Sequence, residues 1–144
     1  MKKRILVILF IIIILLTIWL SRYFYPRSLN DIILNQSVED NVEKINASSF
    51  ISVHLSKTFE TDNKTTINNL INFLEDIKVR NVISHPNSYR PLMFETYYIQ
   101  LINENEIIYI NFMDKDYLRI NHTTYKIVNS PDLNKIYYII AEQK

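Results

Sequence analysis

Histidine is the side chain best suited to proton transfer or metal ligation near neutral pH, and this sequence has three, His54, His85 and His122. A catalytic or zinc site would need two of them close together beside a carboxylate. They fall on an expected strand, a proline-containing loop and an expected turn, and no H-x-x-x-H spacing occurs. Scattered surface histidines are the reading that follows. Two acidic pairs, Asp114-Lys115-Asp116 and Glu104-Asn105-Glu106, lie between apolar segments. A calcium loop needs more oxygen ligands at set positions and a glycine at its sharp turn. A glycosidase needs one carboxyl group held out of water. Neither pattern is present, so these acids read as solvated turns. No residue is assigned a catalytic, cofactor-binding or metal-binding role.

A basic group offers more. Lys78, Arg80, His85 and Arg90 bracket residues 79–92, which hold two of the four prolines and read as a long loop with room for a short strand near Val82. Such a loop could receive a phosphate, a teichoic acid or a carboxylate; ordinary solvation is the competing reading. Ten tyrosines are a second resource, and Tyr97, Tyr98, Tyr109, Tyr117 and Tyr125 fall on expected strands. An outward row of them would suit a protein or glycan partner, whereas tyrosine is also simply a good strand former.

Composition removes whole classes of chemistry. Without Cys there is no disulfide, thiolate metal site or thiol nucleophile. Without Gly there is no phosphate-cradling loop, dinucleotide fingerprint or G-x-S-x-G elbow. Backbone positions with positive φ must fall to Asn and Asp, and the chain carries 16 Asn. Five of the 16 basic residues precede Ser28, leaving 11 against 15 acids, a formal charge of −4 beyond that point. A mildly acidic domain argues against nucleic-acid binding. The four N-x-[ST] sequons, at Asn35, Asn46, Asn63 and Asn121, carry no weight in so Asn-rich a chain.

The elements that position these residues begin with an anchor. Residues 5–20 are apolar except for Thr17, after Lys2, Lys3 and Arg4. Sixteen helical residues span about 24 Å against a hydrocarbon core of about 30 Å. Residues 21–24 close the gap, with Trp19, Tyr23 and Tyr25 as an aromatic belt. A cleaved signal peptide is the rival reading, and no small-x-small site follows the apolar run. The sequence therefore divides into an anchor with a short linker, residues 1–27, and a small domain, residues 28–144. The basic cluster at the start places the N-terminus inside and the domain outside the membrane.

Within the domain, residues 30–34 read as a short strand and 45–56 as a strand with one wet face. Ile67, Leu70, Ile71, Leu74 and Ile77 repeat at helical spacing, with Asp62 or Asn63 as the cap. Four strands follow, over 94–102, 107–112, 117–121 and 124–128; Asn121 replaces the usual turn Gly in the last hairpin. Ser130-Pro131-Asp132 predicts the start of a final helix whose stripe is Leu133, Ile136, Tyr137 and Ile140. The expected fold is α+β, in the order β-β-α-β-β-β-β-α: a mainly antiparallel sheet with two packed helices.

The helix at 67–77, the strand at 97–101 and the pattern Leu118-Arg119-Ile120-Asn121…Tyr125-Lys126-Ile127 resemble a family of small Gram-positive extracytoplasmic domains. These are carried behind a signal peptide or membrane anchor and are classed as a domain of unknown function. The resemblance covers roughly residues 28–143 and implies no catalytic residues. The expectation is a membrane-anchored, non-enzymatic interaction module that binds an envelope protein or cell-wall polymer and needs no cofactor. The alternative is a small cell-envelope hydrolase, which would require two convergent ionisable groups in one pocket.

Overall fold

The computed structural model describes residues 2–34, 42–51, 54–82, 95–113 and 115–141, with backbone alone at 2–4, 22, 34, 51, 54–56, 95 and 141. A first helix, α1 (Lys2–Phe24), leaves the large apolar side chains of residues 5–20 exposed. Counted over its described residues, no helix is long and apolar enough to cross a membrane.

Tyr25 and Pro26 lead from α1 into a two-residue strand, β1 (Arg27–Ser28). The boundary drawn after residue 27 therefore falls inside an element. Next comes a helix, α2 (Leu29–Leu34), where the apolar run predicts a strand. Leu29, Ile32 and Ile33 are buried at i, i+3 and i+4, which is a helical stripe. The stretch predicted as one strand over 45–56 is a hairpin, β2 (Lys44–Ile51) with β3 (His54–Thr61), carrying a bulge between Ser49 and Phe50.

Helix α3 (Lys64–Asp76) forms where its apolar stripe predicts it. The Asn63 side-chain oxygen accepts the N–H groups of Thr65 (2.9 Å) and Thr66 (3.3 Å), satisfying two of the helix's orphan donors. Ile67, Leu70 and Leu74 are buried, as is Ile77 just past its end. Each such side chain contributes about 1.5–3 kcal/mol before entropy is counted. The loop expected over 79–92 starts with a strand, β4 (Lys78–Asn81), and residues 83–92 lie outside the described set.

The remaining strands stand close to expectation: β5 (Glu95–Ile102), β6 (Ile107–Phe112), β7 (Tyr117–Ile120) and β8 (Thr123–Ile127). Asn121 takes a φ of 49° in the β7–β8 turn, filling the role of the absent glycine. The last helix, α4 (Asn134–Ala141), begins later than Ser130-Pro131 predicts. Ser130 instead has a φ of 42°, and the Asp132 side chain accepts the Asn134 N–H at 3.1 Å.

The eight strands among the described residues form one sheet in the order β1-β4-β8-β7-β6-β5-β2-β3, and every neighbouring pair is antiparallel. The fold is thus α+β as expected, but the order β-β-α-β-β-β-β-α gives way to β-α-β-β-α-β-β-β-β-β-α after α1. Helix α3 packs against both α2 and α4. Along the strands Val79, Ile99, Leu101, Ile108, Ile110, Phe112, Leu118, Ile120 and Ile127 are buried in the core with the helical stripes. Successive strand residues point to opposite faces, so their neighbours form a second face.

Candidate binding face

That second face is built by register. Thr58, Ser48, Tyr98, Asn111, Arg119 and Thr124 stand opposite one another from β3 to β8 in one transverse row. Glu60, Asn46, Gln100 and Tyr109 form the row beside it. Arg80, Lys126 and Tyr117 form a third, across β4, β8 and β7. The surface is polar and aromatic, with Tyr109 and Ile107 among its exposed members.

Its centre is ordered by side-chain contacts. The rings of Tyr98 and Tyr109 lie 6.1 Å apart, tilted by 30°, a separation within the attractive range of aromatic pairs. Asn46 Nδ2 donates to Gln100 Oε1 at 3.2 Å, while Asn46 Oδ1 is buried with no hydrogen-bond partner among the described residues. Lys44 and Glu60 form an ion pair at the β2–β3 side. Lys126 Nζ stands 6.0 Å from the centre of the Tyr117 ring, near the limit of a cation–π contact.

Of the expected basic group, Lys78 and Arg80 lie on β4 with exposed side chains, and His85 and Arg90 lie outside the described residues. The structure thus brings Arg80 together with Lys126, a residue the sequence pattern does not single out. The five strand tyrosines divide between the faces. Tyr97 and Tyr125 are buried, whereas Tyr98, Tyr109 and Tyr117 belong to the open face. The adjacent pair Tyr97-Tyr98 carries the signal for this, because two neighbours in a strand cannot share a face. Asn46, Gln100 and Asn111 carry no local signal; only the strand register makes them neighbours.

Among the described residues the histidines and carboxylates do not converge in the same way. His122 is exposed in the β7–β8 turn, His54 has a described backbone alone, and Glu104 is exposed in the β5–β6 loop. Asn103 organises that loop by accepting the N–H groups of Asn105 (2.9 Å) and Glu106 (2.6 Å). Among the described residues no three His, Asp or Glu side chains are grouped so as to hold a metal ion. A pocket between α4 and the β2–β3 hairpin, lined by Ala47, Phe59, Ile136 and Tyr137 among others, encloses about 10 Å³. That is room for one water molecule.

Tyr125 is the described group whose ionisation is clearly displaced. Burial pushes its hydroxyl above the ordinary tyrosine value; the Arg27 guanidinium and a hydrogen bond with Thr123 pull the other way. No family model, curated protein or solved structure matches this chain.

Proposed function

We propose that this chain is a single-pass membrane protein whose extracytoplasmic domain is a non-enzymatic interaction module, with the open sheet face as its binding surface for a glycan of the cell envelope. The observation that carries the binding reading is the Tyr98–Tyr109 ring pair set beside Asn46, Gln100 and Asn111. Tyrosine rings offer an apolar plane with a polar rim. Amides supply both donors and acceptors, which is what a hydroxyl-rich polymer requires.

The anchor reading rests on α1 as a whole. Its 23 residues make about 34 Å of helix, enough for a hydrocarbon core of about 30 Å when the ends are included. Side chains 5–20 are exposed, and a solvated surface of that size would be costly in water. Trp19 and Tyr23 stack at 5.7 Å near the far end, a composition suited to an interface.

The test is co-sedimentation of the detergent-solubilised full chain with purified wall sacculi. Tyr98→Ala with Tyr109→Ala should lower the bound fraction about tenfold, because the aromatic stacking surface is lost. Unchanged sedimentation of the double variant would remove the face from the account. Crosslinking to an envelope protein through the same residues would replace the glycan with a protein partner.

A further inference from the structure

We propose that the corner of the open face holding Arg80 and Lys126 docks onto the headgroups of anionic phospholipids, fixing the domain against the membrane that α1 enters. The inference rests on the anchor reading above. Arg80 and Lys126 are directly opposite each other in the β4–β8 pair. Like charges in that position weaken a sheet, so the arrangement calls for a compensating anion. Lys44 and Glu60, which form an ion pair, lie on the β2–β3 side of the sheet. No carboxylate is paired with Arg80 or Lys126 among the described residues.

Position specifies the anion's source. β1 pairs with β4 so that Arg27 stands beside Val79, which puts Pro26 at the level of Arg80. The Tyr25 N–H still bonds to the Ser21 carbonyl at 2.9 Å, so the helical turn runs almost to Pro26. Two extended residues reach about 7 Å at most, and the polar layer of a bilayer leaflet is about 5–7 Å thick. The Arg80–Lys126 row thus stands at the level of lipid phosphates. Guanidinium and ammonium groups both bind phosphate, the first in bidentate fashion. Tyr117, opposite Lys126, is a residue type favoured at the same level.

Charge elsewhere reinforces one orientation. The formal −4 of the chain beyond residue 27 would be repelled by an anionic surface. The Arg80–Lys126 corner is attracted to it, so the domain is turned with that corner down.

Because the chain has no cysteine, His122→Cys in the exposed β7–β8 turn gives a single site for an environment-sensitive fluorophore. The labelled full chain is reconstituted into vesicles of phosphatidylcholine alone and of phosphatidylcholine with phosphatidylglycerol. A blue-shifted, quencher-protected signal is expected in the anionic vesicles only. Arg80→Gln with Lys126→Gln should shift the docked-to-undocked ratio by about thirtyfold, at about 1 kcal/mol per cation near the surface. Arg80→Lys with Lys126→Arg should keep the signal. Flotation separates this proposal from the one it rests on. Failure to float with neutral vesicles removes the anchor, whereas flotation with both vesicles and an identical signal in each removes the docking corner alone. A signal that responds to soluble poly(glycerol phosphate) and not to anionic vesicles also overturns the lipid assignment.

Discussion

Asn121 holds the backbone of Tyr109 at both its polar groups: its N–H donates to the Tyr109 carbonyl at 2.8 Å, and its side-chain oxygen accepts the Tyr109 N–H at 3.0 Å. It does so from a left-handed turn with φ of 49°. One residue therefore turns the β7–β8 hairpin and extends the β6–β7 ladder past its last paired residue. A glycine would supply the turn without the second bond. We expect Asn121→Ala to cost about 1–2 kcal/mol, from left-handed strain and one lost hydrogen bond. Asn121→Asp keeps the acceptor and should stay within about 0.5 kcal/mol. Thermal unfolding of the full chain in detergent, followed by circular dichroism, checks the order.

A second asparagine closes the other end of the sheet. Asn129 Oδ1 accepts the Lys78 N–H at 2.9 Å, and its Nδ2 donates to the Asp76 carbonyl at 2.6 Å. It thereby ties the end of α3 to the start of β4. Asn129→Asp would lose the donor and set a carboxylate against the Asp76 carbonyl. A loss of about 1–3 kcal/mol is expected, larger than for Asn129→Ser by the same measurement. Equal effects of the two substitutions would show that the Asp76 contact contributes nothing.

How far these features are legible in the sequence depends on whether their signal is local. The α3 stripe of Ile67, Leu70 and Leu74, with Asn63 before it, declares itself because spacing and cap agree. The β5–β8 meander does so through alternation and the Asn121 turn. Residues 29–34 mislead because Ile32-Ile33-Leu34 is too short an apolar run to separate strand from helix; tertiary burial of Leu29 with Ile32 and Ile33 decides. The β2–β3 hairpin is hidden because its connection, Ser52-Val53, has neither Gly nor Asn. The open sheet face lies furthest from view. Arg80 and Lys126 meet only through the β4–β8 register, and Asn46 meets Gln100 only through β2–β5. One-dimensional spacing carries none of those pairings.

The domain should fold without α1 if its polypeptide starts at Pro26, keeping β1 whole. Its core joins α2, α3 and α4 to the sheet with residues of every strand from β4 to β8. Leu70, fully buried in α3, is the sharpest probe. Leu70→Ala should cost about 2–5 kcal/mol, and Leu70→Asp should abolish folding by burying an unpaired charge. Urea unfolding of residues 26–144 checks both. A non-cooperative transition in the unsubstituted domain would count against its independence.

Tyr125 gives the domain an alkaline limit. Its hydroxyl is raised above the ordinary tyrosine value, chiefly by burial, so the folded state holds the proton more tightly than the unfolded chain. Its contribution is fully present below about pH 10, the unfolded value. It is lost as pH climbs through the higher folded value, because the unfolded state then binds fewer protons than the native one. Tyr125→Phe should flatten the fall in stability above about pH 10. An unaltered alkaline slope in that variant would assign the fall to other groups.

A reporter fused after Lys144 should read as extracytoplasmic. The motive is the charge asymmetry around α1. Lys2, Lys3 and Arg4 precede its apolar stretch, while Arg22 and Arg27 follow it, and the side richer in Lys and Arg is retained in the cytoplasm. The excess is a single residue, so the prediction can be pressed further. Substituting Lys2 and Lys3 by Gln leaves one basic residue before the helix against two after it, and a measurable inverted population should appear. Alkaline phosphatase and a cytoplasmic fluorescent reporter, each fused at the same position, measure the two orientations separately. Phosphatase inactive beside a bright cytoplasmic reporter in the unsubstituted chain would reverse the orientation. It would also leave the open face with no access to a wall glycan, so one experiment bears on both the topology and the proposed ligand.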